Sequence, residues 1–215
     1  QSSTEKYRFD ASTFLSITHM KGIKLTERII SHDQPCYIIA EAGVNHNGDL
    51  GMARELIDVA VETGADAVKF QTFRAEEIIL RKAPKARYHI ETTGDDTEQS
   101  WFDLLKSQEL DRKMHEELIE HCSKSGIHFL STPYDWPSVD LLDDLNVPLY
   151  KVASSDANNL PLLRYIASKG RPMILSTAMS ELEEVNKSVS VIRNEGIKDL
   201  VVLQCTGSYP APADQ

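Results

Sequence analysis

Long apolar runs are missing from this sequence. No stretch approaches the ~18 apolar residues that a membrane-crossing helix needs. Cysteine is scarce. Cys36, Cys122 and Cys205 are the only three; they lie far apart, none belongs to a C-x-x-C pair, and an odd number gives no disulfide framework. Reduced thiols in a cytoplasmic protein are therefore expected. Positive charge is also in short supply, with 23 Lys and Arg against 33 Asp and Glu and a net charge of -10. Phosphate backbones need clustered cations, so nucleic acid is not an expected partner. A small anion remains open, because a few buried lysines can make one pocket locally positive. Among the histidines no H-E-x-x-H spacing occurs. His115 and His121 fall on an expected surface helix without sharing a face, and with His19, His32, His89 and His128 they read as structural or solvated. Residues 1–19 lack the apolar core of a signal peptide. Met20 reads as a natural start, so the residues before it are expected to be a leader or tag outside the fold.

What the chain does have is one repeated pattern. Short apolar, β-branched runs at 37–40, 67–70, 127–130, 148–152, 173–175 and 200–203 each end in small or polar residues, and an amphipathic stretch follows. Helices are expected from Asp49 as N-cap onward, then around 110–125, 139–145, 161–169 and 182–195. Gly64, Gly126, Gly170 and Gly196 stand where helix-ending glycines belong. Strand-then-helix repetition predicts a parallel sheet with helices outside. The polar strand ends recur at close to the roughly 31 residues per unit of an eight-unit barrel, with one interval doubled by a polar insertion at 74–100. That insertion reads as a long loop on the active-site side. A doubly wound sheet is the alternative, but it would concentrate function at one switch point behind a glycine-rich turn. Polar residues ending every strand suit a ring. The expected fold class is therefore α/β, a (β/α)₈ TIM barrel that is incomplete, with about six βα units.

In such a barrel the strand C-termini form the active face. Collected along the chain they are Glu41, Lys69 with Gln71, Thr132, Lys151 with Ser154 and Asp156, Ser176, and Thr206. A lysine inside an apolar strand is costly to bury unless an anion pairs with it. Two of them, in "DAVKFQT" and "PLYKVASS", with hydroxyl donors nearby, describe a site for phosphate or carboxylate. Glu41, at the end of the apolar run in "IIAEAGVNHNGDL", could neutralise a lysine, act as general base or stabilise a developing cation. His46 is either a loop residue bonded locally or a ligand contact. Cys205 has no recognisable partner and reads as an inert buried thiol.

The blocks "IIAEAGVNHNGDL", "GADAVKFQTF", "FLSTPYD", "YKVASSDANNLPLL", "GRPMILSTAM" and "VVLQCTGSYPAP" occur in this order, and together they resemble the sialic acid synthase (N-acetylneuraminate synthase) family over nearly the whole chain. The resemblance implies a barrel that condenses phosphoenolpyruvate with an N-acetylated hexosamine, N-acetylmannosamine or a relative. The product would be a nine-carbon 2-keto sugar acid, with phosphate released. It implies a divalent metal, Mn²⁺ or Mg²⁺, whose ligands lie on two further strands, and a homodimer in the full-length protein. It makes residues 20–215 the N-terminal part of the synthase barrel, without its last two units or its small antifreeze-like C-terminal domain, and such a piece is expected to be inactive alone.

Carried over by position, Lys69 and Lys151 would hold phosphoenolpyruvate, Ser154 and Ser176 would surround its phosphate and carboxylate, and Glu41 would face the reacting carbons. Gln71, Thr132, Tyr134 and Tyr209 would line the pocket. Asp156 stands where the family usually has Glu, one methylene longer. Glu41 and Asp156 are the expected catalytic pair, and no metal ligand is assigned. Two other classes remain: a Schiff-base keto-acid aldolase, because imine chemistry also needs a strand lysine, and a non-catalytic sugar-binding module.

Overall fold

Strands that are apolar on both faces need cover on both, and the observed architecture supplies it. The structure, a computed structural model, describes residues 22–25, 28–31, 33–83 and 100–207. The chain divides into two units, Gln1–Cys36 and Tyr37–Gln215. The first contains a short antiparallel hairpin, β1 (Ile23–Leu25) and β2 (Arg28–Ile30), in which Ile23 faces Ile30.

The second unit alternates strand and helix: β3 (Ile39–Gly43), α1 (Leu50–Glu62), β4 (Ala67–Thr72), α2 (Ala75–Ile78), α3 (Trp101–Ser107), α4 (Arg112–Ser125), β5 (His128–Pro133), α5 (Trp136–Asp144), β6 (Tyr150–Val152), a 3₁₀ turn at Ser154–Asp156, α6 (Leu160–Ser168), β7 (Met173–Ser176), α7 (Leu182–Asn194) and β8 (Leu200–Leu203). Strands β3-β4-β5 pair in parallel, as do β6-β7-β8. This is the expected α/β barrel arrangement with six βα strands.

Side-chain alternation separates an inner from an outer face. On β4, Val68 and Phe70 join the core beneath the helices with Ile57, Leu118 and Phe129, while Lys69 and Gln71 take the opposite face. The helices stand on that core through spaced apolar residues, such as Ala53, Ile57 and Ala60 of α1 and Leu162, Leu163 and Ile166 of α6. Asp49, Asp111, Asp135 and Asn159 accept backbone N–H bonds at four helix starts, and each such cap is worth about 1 kcal/mol. The four glycines expected behind helices all have positive φ. No helix of the described residues is long and apolar enough to cross a membrane.

Several expectations are corrected. The first barrel strand is Ile39–Gly43, which starts later than the apolar run at 37–40 and continues past it, so Glu41 lies inside it and not at its end. The cause is a β-bulge: Glu41 pairs with Lys69 and Gly43 with Phe70, leaving Ala42 over. Gly43 has φ 56°, which a side chain rarely tolerates. The expected long loop at 74–100 opens with α2; residues 84–99 lie outside the described residues. Of the two readings left open for His115, structural or solvated, the structural one holds, for His115 is wholly buried.

His115 closes a chain of bonds on the outer face of the sheet. Its Nδ1 donates to the carbonyl of Asp111 at 2.8 Å, so its Nε2 accepts from the Thr72 hydroxyl at 2.8 Å, and Thr72 Oγ1 meets Ser131 Oγ at 2.7 Å. This fixes α4 to β4 and β5. His46 is equally buried. Its Nδ1 accepts from Gly48 N at 3.0 Å, while its Nε2 has no partner. At Gly48 an added Cβ would lie 2.1 Å from the Ser107 carbonyl oxygen, so this turn packs backbone to backbone against α3.

Burial lowers the pKa of both histidines below 6.5. The unfolded state therefore takes up protons first, and the stability these residues contribute is full above about pH 6.5 and lost as pH falls below it. The urea midpoint should decline between about pH 7 and pH 5, and His115→Gln should flatten that slope. A profile unchanged by the substitution would contradict the assignment.

Candidate active site

The inner face of the barrel gathers charge that the outer face could not hold. Lys69, in the middle of β4, is 6% exposed, and Lys151, in the middle of β6, is 8% exposed. The regular parallel register of β3 and β4, which runs from Ile39 to Glu41 ahead of the bulge, sets Glu41 beside Lys69, and the Lys69 Nζ–Glu41 Oε2 distance is 2.5 Å. Glu41 itself remains half-exposed. Lys151 Nζ donates to the Val152 carbonyl at 3.1 Å. Burial, and then the neighbouring Lys69 charge, push Lys151 down to about 8, against the opposing influence of Glu41 and Cys205. Two ammoniums from two sheets thus share one carboxylate on the inner face. An arrangement short of negative charge is ready to take an anion.

Hydroxyls and amides surround the lysines. Ser176 is buried at the end of β7. Ser154 Oγ accepts from the Ala178 backbone N–H at 3.0 Å, joining the turn after β6 to the loop after β7. Thr132 is paired in register with Gln71, is buried, and leaves its hydroxyl without a partner.

A cavity of about 770 Å³ is lined by Gln71, Tyr134 and Asp156 together with Phe73, Glu77, Trp101 and Gln108 among others. Burial raises the Asp156 carboxyl above its usual range, against hydrogen bonds from Asn159 and Ser155; the Asn159 Nδ2–Asp156 Oδ1 distance is 3.1 Å. The expected residues therefore fall into two groups. Lys69, Lys151, Glu41 and Ser176 form a charged cluster, which Ser154 borders through the Ala178 amide, and Gln71, Tyr134 and Asp156 line the adjoining cavity. Tyr209 lies outside the described residues.

Cys205 is the residue that sequence reasoning underrated. Burial by itself would raise its thiol, but hydrogen bonds from the Ser176 hydroxyl and the Thr177 N–H, the Lys151 charge and the Ala178 N–H outweigh that, and its pKa lies below 9.0. The thiol expected to be inert thus has its pKa drawn down, in part by the charge of Lys151. Its signal was Lys151, two strands away in the same barrel, which no local motif announces. The apolar cavity wall from α3 was also missed, because Trp101 opens a helix at the end of a polar insertion.

A parallel barrel with lysines, a carboxylate and hydroxyls on its inner face has the architecture of an anion-handling barrel domain. A model of the NeuB family matches residues 56–215, and the chain belongs to that family. The N,N'-diacetyllegionaminic acid synthase of Campylobacter jejuni is 47% identical over 180 residues, which is 83% of this chain and 53% of that one. The human N-acetylneuraminate-9-phosphate synthase is 35% identical over 183 residues, 85% of this chain and 50% of the relative. The solved N-acetylneuraminic acid synthetase of Leptospira borgpetersenii superposes with a TM-score of 0.75 at 32% identity, covering 90% of this chain and 62% of that structure. The chain spans about half the length of the curated relatives it matches.

Thiol chemistry tests the cluster directly. Iodoacetamide at neutral pH should label Cys205 faster than the exposed Cys36, and should leave Cys122, which burial pushes up to about 12, unmodified. Peptide mapping after short exposures reads the three sites separately. Equal rates at Cys205 and Cys36 would contradict the lowered pKa of Cys205.

Proposed function

We propose that this chain forms the phosphoenolpyruvate-binding part of a transferase that joins phosphoenolpyruvate to an open-chain N-acetylated hexosamine, giving a nine-carbon 2-keto sugar acid and phosphate. The observation that carries the reading is the shared inner face of Lys69 and Lys151, with Glu41 paired to the first. The names of the relatives, sialic-acid-type synthases, support it.

The lysines, with the Ser176 and Ser154 hydroxyls, hold the phosphate and carboxylate of the enol. C3 of phosphoenolpyruvate attacks the sugar aldehyde, a C–C bond forms, and the aldehyde oxygen takes a proton. Asp156, whose raised carboxyl lines the cavity, is suited to hold that proton. Positive charge develops at C2, where Glu41 stabilises it. Water adds to C2 and loses a proton, the C2–O bond breaks, and phosphate departs against the lysines. The divalent cation expected with this chemistry would polarise the aldehyde oxygen when bound. The described residues gather no group of three His, Cys, Asp or Glu side chains to hold it, so the steps assigned to this chain rest on its own side chains.

One observation favours a second reading. A lysine at about 8, as Lys151 is, is also a competent imine-forming nucleophile. Borohydride reduction with a keto acid would leave a covalent adduct on Lys151 in that case and none in the first.

The first test is phosphate release from phosphoenolpyruvate, with an N-acetylhexosamine and Mn²⁺, by the complete reading frame. A charge-assisted hydrogen bond contributes about 1.5–3 kcal/mol, so Lys69→Ala should weaken phosphoenolpyruvate binding roughly 10- to 150-fold. Calorimetric affinity within twofold of wild type would exclude Lys69 from the site. Anion binding needs Lys151 charged, so affinity should fall as pH rises through about 8.

A further inference from the structure

The bulge in β3 leaves an opening between two side chains of the inner face. After Glu41 the strand gains one residue, so Ala42 joins the outer core and Gly43 turns inward, with φ 56°. A Cβ placed on Gly43 would lie 3.5 Å from Glu41 Oε1 and 3.6 Å from Gln71 Nε2, the described atoms within 4 Å of that point. Both are ordinary contact distances, so a methyl group would fit there. The space it would fill lies beside a carboxylate oxygen and an amide nitrogen. The backbone angle alone does not demand glycine, for Asn47 holds φ 49° in the turn that follows.

Glu41 divides its two oxygens. Oε2 pairs with Lys69 at 2.5 Å, while Oε1 faces the opening. Gln71 stands on the same inner face, two residues along β4 from Lys69, and lines the cavity. One side of the opening therefore accepts a hydrogen bond and the other donates one. An ammonium can only donate and a carboxylate can only accept, whereas a hydroxyl donates to Glu41 and accepts from Gln71 at once. We propose that Gly43 is a specificity-determining residue, whose missing side chain keeps open a seat for one hydroxyl group between Glu41 and Gln71. The role rests on the proposed condensation, in which that hydroxyl belongs either to the sugar or to the water that adds to C2.

The test places Gly43→Ala and Gly43→Asn in the complete reading frame, the second because asparagine accepts such backbone angles. Calorimetry should find phosphoenolpyruvate bound as tightly as by the unsubstituted protein, since the Glu41–Lys69 pair is untouched. Phosphate release should fall at least about tenfold, the loss of one hydrogen bond to a charged group. A raised KM for the sugar assigns the hydroxyl to the sugar, and a lowered kcat at unchanged KM assigns it to water. Turnover equal to that of the unsubstituted protein overturns the seat. So does a matching loss of phosphoenolpyruvate affinity, because strain passed along β3 would disturb the Lys69 pair as well. A crystal structure of the unsubstituted protein with phosphoenolpyruvate needs no variant to fold. It should show an oxygen atom about 2.5–3.2 Å from both Glu41 Oε1 and Gln71 Nε2, and an empty gap there overturns the proposal. An unsubstituted protein that binds phosphoenolpyruvate but releases no phosphate with any N-acetylhexosamine overturns the condensation, and the crystal then judges the seat by itself.

Discussion

The structure depends on two ammonium groups buried together on the inner face of the barrel, one on each of its two three-stranded sheets. Taking a charge from water costs several kcal/mol even after the protein relaxes, and Lys69 and Lys151 add mutual repulsion to that cost. A single half-exposed carboxylate, Glu41, offsets part of it. A stability-driven sequence would place leucine or methionine at these positions. The strain shows in the depressed pKa of Lys151 and in a thiol at Cys205 drawn toward its ionised form. For Lys151 the first cause is burial and the second the Lys69 charge; for Cys205 it is hydrogen bonds from Ser176 and Thr177, to which the Lys151 charge adds.

Around this cluster the barrel divides its labour between two faces. Outward positions of β4 and β5 carry Phe70, Phe129, Thr72 and Ser131, which pack or bond to the helices. Inward positions carry Lys69, Gln71 and Thr132. The cavity wall comes from α2 and α3, elements inserted after β4. The cavity wall therefore sits on a segment separate from the strands that carry the lysines, and each can vary without disturbing the other.

Much of this was legible in the amino-acid order, for identifiable reasons. Five apolar runs matched β4 to β8 closely, because buried parallel strands leave little freedom of composition, and Asp49 marked the first helix start because it caps it. The first strand was misplaced because a bulge breaks the alternation that locates strand ends. The hairpin at 23–30 was not anticipated, since three-residue strands carry no period. His115 could be read only as structural or solvated, because its partner Thr72 comes from a distant strand. The lysines, Glu41 and Asp156 could be picked out singly, each as a polar intruder in or behind an apolar run. Their convergence, and the pull on Cys205, are properties of closure in three dimensions.

The Ser131–Thr72–His115–Asp111 chain has a consequence on the far side of the sheet. Side chains along β4 alternate, so the bond that secures Thr72 outside also indexes Lys69 inside. A slip of one position would send the ammonium into the helix layer and expose Phe70 to the lumen. The histidine thus works as a locating pin: it never meets a ligand, yet it decides which atoms a ligand finds.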